Sequence, residues 1–125
     1  MAIEEYVGSI VMEVDGDELE VTDLKFSGKT GSKLVKTMNS TGRAKGLARG
    51  IAEYQLVATV VIPLKGDKDW EGMRGVKITQ YPLSGSGGKR VTYMDCFTTD
   101  WSAQYSTDNE AKRDITFQCL RVVEE

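Results

Sequence analysis

Histidine is absent from the 125 residues. That removes the usual general base near neutral pH and the orienting member of most nucleophilic triads. Carboxylate pairs or lysine chemistry can stand in for it, but no such constellation assembles along this chain, and no catalytic residue is expected. The cysteines are only two, Cys96 and Cys119. Without histidine they are too few for a zinc site, so no metal or cofactor is expected. Both fall in strand-like segments, and cytosolic thiols stay reduced, so they are expected as small buried apolar groups rather than as a disulfide. No run approaches the roughly 18 to 20 apolar residues that span a bilayer, so no membrane anchor is expected. The start, Met1-Ala2-Ile3-Glu4-Glu5, is acidic where a signal peptide is basic, and no long apolar run follows it. The expectation is a protein made and kept in the cytoplasm, or assembled from it.

Hydrophobic residues make up 40% and charged residues 28%, the balance of an ordinary soluble domain. The length suits one domain with one core, residues 1–125. The net charge of −3 says little, but its distribution says more. Residues 28–50 hold Lys29, Lys33, Lys36, Arg43, Lys45 and Arg49 and no acid. Six of the 16 Lys+Arg residues therefore sit there, leaving ten bases against 19 acids elsewhere. A basic segment on an acidic body gives two regions that attract each other across copies.

The apolar pattern is that of strands. Residues 6–14 (YVGSIVMEV) are mixed apolar and β-branched, and residues 18–26 (ELEVTDLKF) alternate. Asp15-Gly16 lies near their junction, and such a pair marks a hairpin because both turn residues tolerate positive φ. The phase of the second run slips at Thr22-Asp23, as a β-bulge allows. Residues 28–50 hold five glycines and scattered apolar residues. So long a loop is uncommon in a compact domain. A short β-arm over 34–38 is expected, with the rest mobile in an isolated subunit. Residues 51–63 form the longest strand candidate, alternating at first and then apolar on both faces, which calls for cover on both. Residues 66–71 suggest a short helix, with Asp67 or Asp69 near its positive end and Gly72 or Gly75 closing it. Strands follow over 76–81, over 91–99 (bending through 101–105), and over 114–122, with a flexible hairpin tip at 84–88 and a turn at 107–110. The sum is an all-β sandwich or barrel of six to eight strands with one short α-helix and a long arm.

Motifs that suggest chemistry dissolve on inspection. Gly28-Lys29-Thr30 and Gly87-Gly88-Lys89 resemble phosphate loops, but the first has Asp23 where a glycine is required. The second has Arg90 in place of the hydroxyl residue, and a strand follows. Asp15/Asp17, Glu18/Glu20, Asp67/Asp69 and Asp108/Glu110 are explained by turn and cap chemistry, since an EF-hand's glycine and terminal glutamate are missing. Trp70 and Trp101 are expected to cover the end of the core rather than to anchor a ligand. The basic segment stands apart. It is expected to dock on something negative, either nucleic acid or an acidic face of another copy.

Several stretches together resemble the tail tube (major tail) proteins of long-tailed phages. They are 6–16 (YVGSIVMEVDG), 36–46 (KTMNSTGRAKG), 50–54 (GIAEY), 69–70 (DW), 93–97 (YMDCF) and 108–114 (DNEAKRD). The resemblance implies a β-sandwich subunit flanked by a helix, with a fold similar to the type VI secretion tube. It also implies that six subunits close into a ring with a β-barrel inner wall, and that rings stack into a conduit for DNA inside the virion. In that family the long loop between early strands reaches a neighbouring ring, which places Lys29, Lys33, Lys36, Met38, Arg43, Lys45 and Arg49 at contacts between subunits. Other tail proteins are the implied partners. A conduit must let DNA slide, so its lining should be neutral or acidic, and Glu53 and Gln55 are the residues expected to face it. The competing expectation is a small nucleic-acid-binding module using the basic arm, which the acidic remainder of the chain disfavours.

Overall fold

A computed structural model of the chain describes residues 3, 4, 6, 8–65, 68–83 and 90–124. Among these residues it is all-β. Ten strands appear in chain order: β1 (Ile10–Val14), β2 (Asp17–Leu19), β3 (Val21–Lys29), β4 (Lys33–Val35), β5 (Gly46–Ala48), β6 (Glu53–Val61), β7 (Arg74–Pro82), β8 (Val91–Gln104), β9 (Lys112–Cys119) and β10 (Arg121–Glu124).

The first hairpin forms as its turn chemistry requires. Asp15 (φ 50°) and Gly16 (φ 90°) both occupy the left-handed region, which suits a two-residue turn to the twist of its strands. Asp15 also fastens the turn to β7: its Oδ1 accepts the Lys77 N–H at 3.0 Å and its own N–H donates to the Lys77 carbonyl at 2.9 Å. Only β2 returns along β1; beyond it the chain crosses to β6. The slip expected at Thr22-Asp23 is that corner, a register shift between Val21 and Asp23 in the β3–β6 ladder.

The main sheet runs β2-β1-β7-β8-β9-β6-β3, antiparallel at every step, with β10 also on β8. β8 is long enough to serve two neighbours. Residues Val91 to Met94 pair with β10, and Phe97 to Gln104 pair with β9. Between them Asp95 takes φ 55°, a sharp departure for a non-glycine residue. The sheet curls on itself, because Phe26 on β3 meets Tyr93 on β8 with ring centroids 5.0 Å apart although β6 and β9 separate their strands within the sheet.

One core fills the curl. Met12, Val14 and Ile78 from one side meet Leu56, Ala58, Ile115 and Phe117 from the other, all buried. Each of the larger side chains contributes about 1.5 to 3 kcal/mol relative to exposure. Trp70 closes one end against Phe117, with ring centroids 6.0 Å apart, as expected of a capping aromatic. Trp101 shares a register row with buried Ile115 but remains half exposed, so it covers less of the core than expected.

The short helix expected over 66–71 does not form among the described residues, of which Gly66 and Asp67 are not part. The cap chemistry is present: Asp69 Oδ1 accepts the Gly72 N–H at 3.3 Å, and the Met73 N–H reaches the Trp70 carbonyl at 3.3 Å. A single turn closed this way cannot offset the cost of helix nucleation, and the segment instead holds Trp70 on the core. The hairpin tip expected at 84–88 lies outside the described residues. The strand expected over 114–122 divides at Leu120 into β9 and β10.

Candidate assembly surfaces

Two surfaces stand apart from the core. The first is the segment between β3 and β6. β3 continues through Lys29, which pairs with Glu53, so the projecting part begins after it. Its base is a close backbone crossing in which the Gly50 N–H donates to the Gly31 carbonyl at 2.8 Å. Gly31 has φ +81°, and a Cβ there would lie 2.5 Å from the Ile51 carbonyl oxygen. A glycine is therefore required where the arm leaves the body.

Beyond the base, β4 and β5 form a two-stranded ladder with Leu34 opposite Leu47. The 34–38 β-arm expected from sequence is thus found over Lys33–Val35, paired to a partner strand that the sequence reading missed. Asn39 organises the tip. Its Nδ2 donates to the Arg43 carbonyl at 2.7 Å, its Oδ1 accepts the Thr41 N–H at 3.0 Å, and Gly42 adopts φ 69°. This is Asx-turn chemistry, and the Asn39-Ser40-Thr41-Gly42 string was the signal available for it. No residue of the arm is buried. Leu34, Leu47, Ile51 and Met38 expose 61%, 65%, 86% and 104% of their surface. Lys29, Lys33, Lys36, Arg43, Lys45 and Arg49 are all exposed, and none forms an ion pair among the described residues.

The second surface is the outward face of β3, β6, β9 and the distal half of β8. Tyr54 and Leu56 face inward, while Glu53 and Gln55 lie on the opposite face and are exposed, as alternation required. The ladders extend that face into rows. One row is Ser27, Gln55, Gln118 and Phe97; the next is Lys25, Val57, Thr116 and Asp100; the third is Asp23, Thr59, Asp114 and Ser102. Thr59 Oγ1 donates to Asp114 Oδ1 at 2.6 Å within the third row. Most members are hydroxyl, amide or carboxylate side chains, with Lys25 and Lys29 as the bases of the β3 edge. The sequence named only the β6 contributors, because the others need the register between strands. That sheet ends in β3, a nine-residue strand that among the described residues pairs on one side only, with β6. A free edge of this length is a ready template for another chain.

No group of three or more His, Cys, Asp or Glu residues able to hold a metal ion occurs among the described residues. Nor is any helix there long and apolar enough to cross a membrane.

No protein-family model matches the sequence, and no curated protein matches it either. Solved structures do. A chain of the sheath/tube terminator of an extracellular contractile injection system (PVC), in its extended state, superposes with a TM-score of 0.77 at 12% identity, covering 99% of both chains. The SPP1 tail tube gives 0.67 at 9% identity over 93% of this chain and 74% of its own. This chain has the tail-tube fold. Hcp1 from Flavobacterium johnsoniae shares it with a TM-score of 0.57 at 8% identity, over 95% and 94% of the two chains. The likeness spans nearly the whole chain, so the curled sheet as a whole belongs to this fold.

Proposed function

We propose that this chain is a non-catalytic building block of a phage-type tail tube, in which six copies close into a ring and rings stack into a hollow conduit for DNA within the virion. The observation that carries the reading is the four-stranded polar sheet with an open β3 edge, in a subunit whose charged arm packs against nothing of its own. Edge-to-edge closure of the sheet around a ring removes the unpaired strand edges. Six sheets of four strands, spaced at about 4.8 Å and tilted about 40°, make a wall roughly 48 Å across between backbones. Side chains narrow that to on the order of 40 Å, enough for a duplex. Stacking of ring on ring is a head-to-tail contact that does not close, and such contacts grow filaments.

In this reading Glu53 and Gln55 face the lumen, with the rows of Ser, Thr and Gln beside them. The basic arm residues, Met38 included, meet acidic and apolar surfaces of neighbouring copies. In the free subunit the arm is mobile, since exposed strands without a core cannot offset about 1 to 2 kcal/mol of backbone entropy per residue. Assembly with other tail proteins follows from the same role.

The test compares DNA binding with polymerisation in one set of samples. Duplex DNA is titrated into wild-type protein and an Arg43→Glu/Lys45→Glu variant at about 0.15 M salt, where phosphate contacts are already weakened by counterion competition. The tube reading expects negligible DNA binding by the wild type and loss of polymerisation in the variant. Tight DNA binding that the reversals abolish, with assembly untouched, would make the chain a nucleic-acid-binding module instead.

A further inference from the structure

The cysteine pair is unused by the tube reading. Cys96 and Cys119 are buried free thiols on different strands, with sulfurs 2.9 Å apart. Two ladders fix their relation independently. β8 pairs with β9 at Phe97 and Gln118, and with β10 at Met94 and Arg121, and both pairings have the same register. Interpolating between them sets Cys96 directly opposite Cys119. Directly opposed residues of antiparallel strands have Cα atoms about 4.5 to 5.5 Å apart, inside the range of about 4.4 to 6.8 Å that a disulfide tolerates. No backbone shift is needed to join them.

The position also matters. Cys119 ends β9, immediately before Leu120, where the chain leaves one ladder and enters the next. Leu120 is exposed, and the ion pair of Arg121 with Asp95 across this break is a long 3.5 Å contact at the surface. β10 has four residues and pairs only with β8. Short edge strands of this kind open locally at little cost, and opening β10 uncovers the pair. The sequence holds no other cysteine to compete.

We infer that Cys96 and Cys119 are a disulfide-forming pair, kept as thiols in a reducing cytoplasm and joined once the protein meets a small-molecule disulfide oxidant such as oxidised glutathione. Cys119, which ends β9 beside exposed Leu120, is the first nucleophile. The two sulfurs share a hydrogen bond in which either thiol can donate, and the one that accepts is stabilised as the thiolate; Cys96 Sγ also lies 3.4 Å from the Tyr93 carbonyl. The Cys119 thiolate attacks one sulfur of the oxidant, and the S–S bond of the oxidant breaks to release one glutathione thiolate. Cys96, losing its proton, then attacks the Cys119 sulfur of the mixed disulfide and releases the second. Two electrons pass from the protein thiols to the oxidant, and their two protons end on two glutathione thiols. The product staples β8 to the end of β9 and closes the loop between residues 23 apart, which includes the β8–β9 hairpin. Such a loop loses conformational freedom in the unfolded chain, so the staple favours the folded one. The bond itself does not depend on the tube reading; its timing, after release of a particle to oxidising surroundings, does.

The test uses the folded full chain, without denaturant, in glutathione buffers from fully reduced to fully oxidised. Samples are acid-quenched, unfolded and alkylated with iodoacetamide. The reduced sample is expected to take an alkyl group on each of its two cysteines, and the oxidised sample none, with a mass two hydrogens below that of the unalkylated reduced chain and a digest peptide joining the segments of Cys96 and Cys119. The oxidised chain should unfold at higher denaturant concentration than the reduced one. A Cys96→Ala/Cys119→Ala variant should unfold at the same midpoint in both buffers. Two free thiols per chain after prolonged oxidation, or linkage found only between chains, would overturn the inference. Thiol counting needs no ring or tube, so its failure leaves the assembly reading standing, and failed assembly leaves the disulfide standing.

Discussion

The β8–β9 hairpin and the β4–β5 hairpin are both antiparallel pairs joined by polar connections, yet they are held in different ways. β9 buries Ile115, Phe117 and Cys119 along one face. The β4–β5 pair sets Leu34 against Leu47 and buries neither. An isolated two-stranded ladder is marginal in water at best. The difference teaches where each hairpin's stability comes from: the first has a core of its own, and the second has none. On and around the second, Lys33, Lys36, Arg43, Lys45 and Arg49 form no ion pair among the described residues, and Leu34, Val35, Met38 and Leu47 are exposed, so any cover would join charge to apolar contact.

The largest expected effect follows from removing the core that distinguishes the first hairpin. Phe117→Ala should lower unfolding stability by about 3 to 5 kcal/mol, because it opens a cavity beneath Trp70. Chemical denaturation of the unassembled subunit reads this directly, and a loss below about 1 kcal/mol would deny that the β8–β9 hairpin depends on its core.

The core should also answer to alkali. Burial pushes the Tyr93 hydroxyl, which donates to Gln80 Oε1 at 2.8 Å, up to about 12. Its folded pKa lies above its unfolded value near 10, so its contribution is complete below pH 10 and is lost as pH rises through 12. The loss amounts to on the order of 2 to 3 kcal/mol. Unfolding midpoints between pH 9 and 12 in wild type and Tyr93→Phe should diverge, with the variant falling less steeply. Parallel curves would place the ionisation elsewhere.

A smaller effect is expected where the arm joins the body. Gly31→Ala forces a side chain into a left-handed backbone and against the Ile51 carbonyl, at about 1 to 3 kcal/mol. Since the arm contributes little to the core, the strain should release by splaying the arm rather than by unfolding the body. Limited proteolysis should then cut faster within residues 36–49 while the denaturation midpoint changes little. A large drop in midpoint without faster cutting would show the arm base to be part of the core.

The smallest effect on the subunit is expected inside the arm itself. Leu34→Ala with Leu47→Ala should change stability by less than about 0.5 kcal/mol, the usual range for exposed sites, yet weaken polymerisation. Unchanged polymerisation would remove the apolar half of the docking account.

Much of this was legible because it is local. Asp15-Gly16 announces its turn through the φ values it tolerates, the alternation of residues 53–56 announces which face Glu53 and Gln55 occupy, and the slip at Thr22-Asp23 announces a corner. The helix over 66–71 misled because Asp69 and Gly72 carry cap chemistry whether one turn or several follow. The partner exchange of β8 at Asp95 was not legible because aspartate tolerates positive φ but, with no glycine beside it and apolar residues on both sides, did not mark a turn. The polar rows were half legible: β6 could be oriented alone, but Thr116, Gln118 and Asp100 join it only through register. The β4–β5 pairing was hidden for the same reason that makes it interesting, since a ladder without buried residues has no periodic signature.

The central claim is that the subunit is complete only among copies of itself. Negative-stain electron microscopy of the concentrated protein, with sedimentation on the same sample at low and high salt, tests it most directly. The expected result is rings or tubes of uniform width, lost in the Arg43→Glu/Lys45→Glu variant. A single monomeric boundary at millimolar concentration in both salts, with empty fields on the grid, would contradict it.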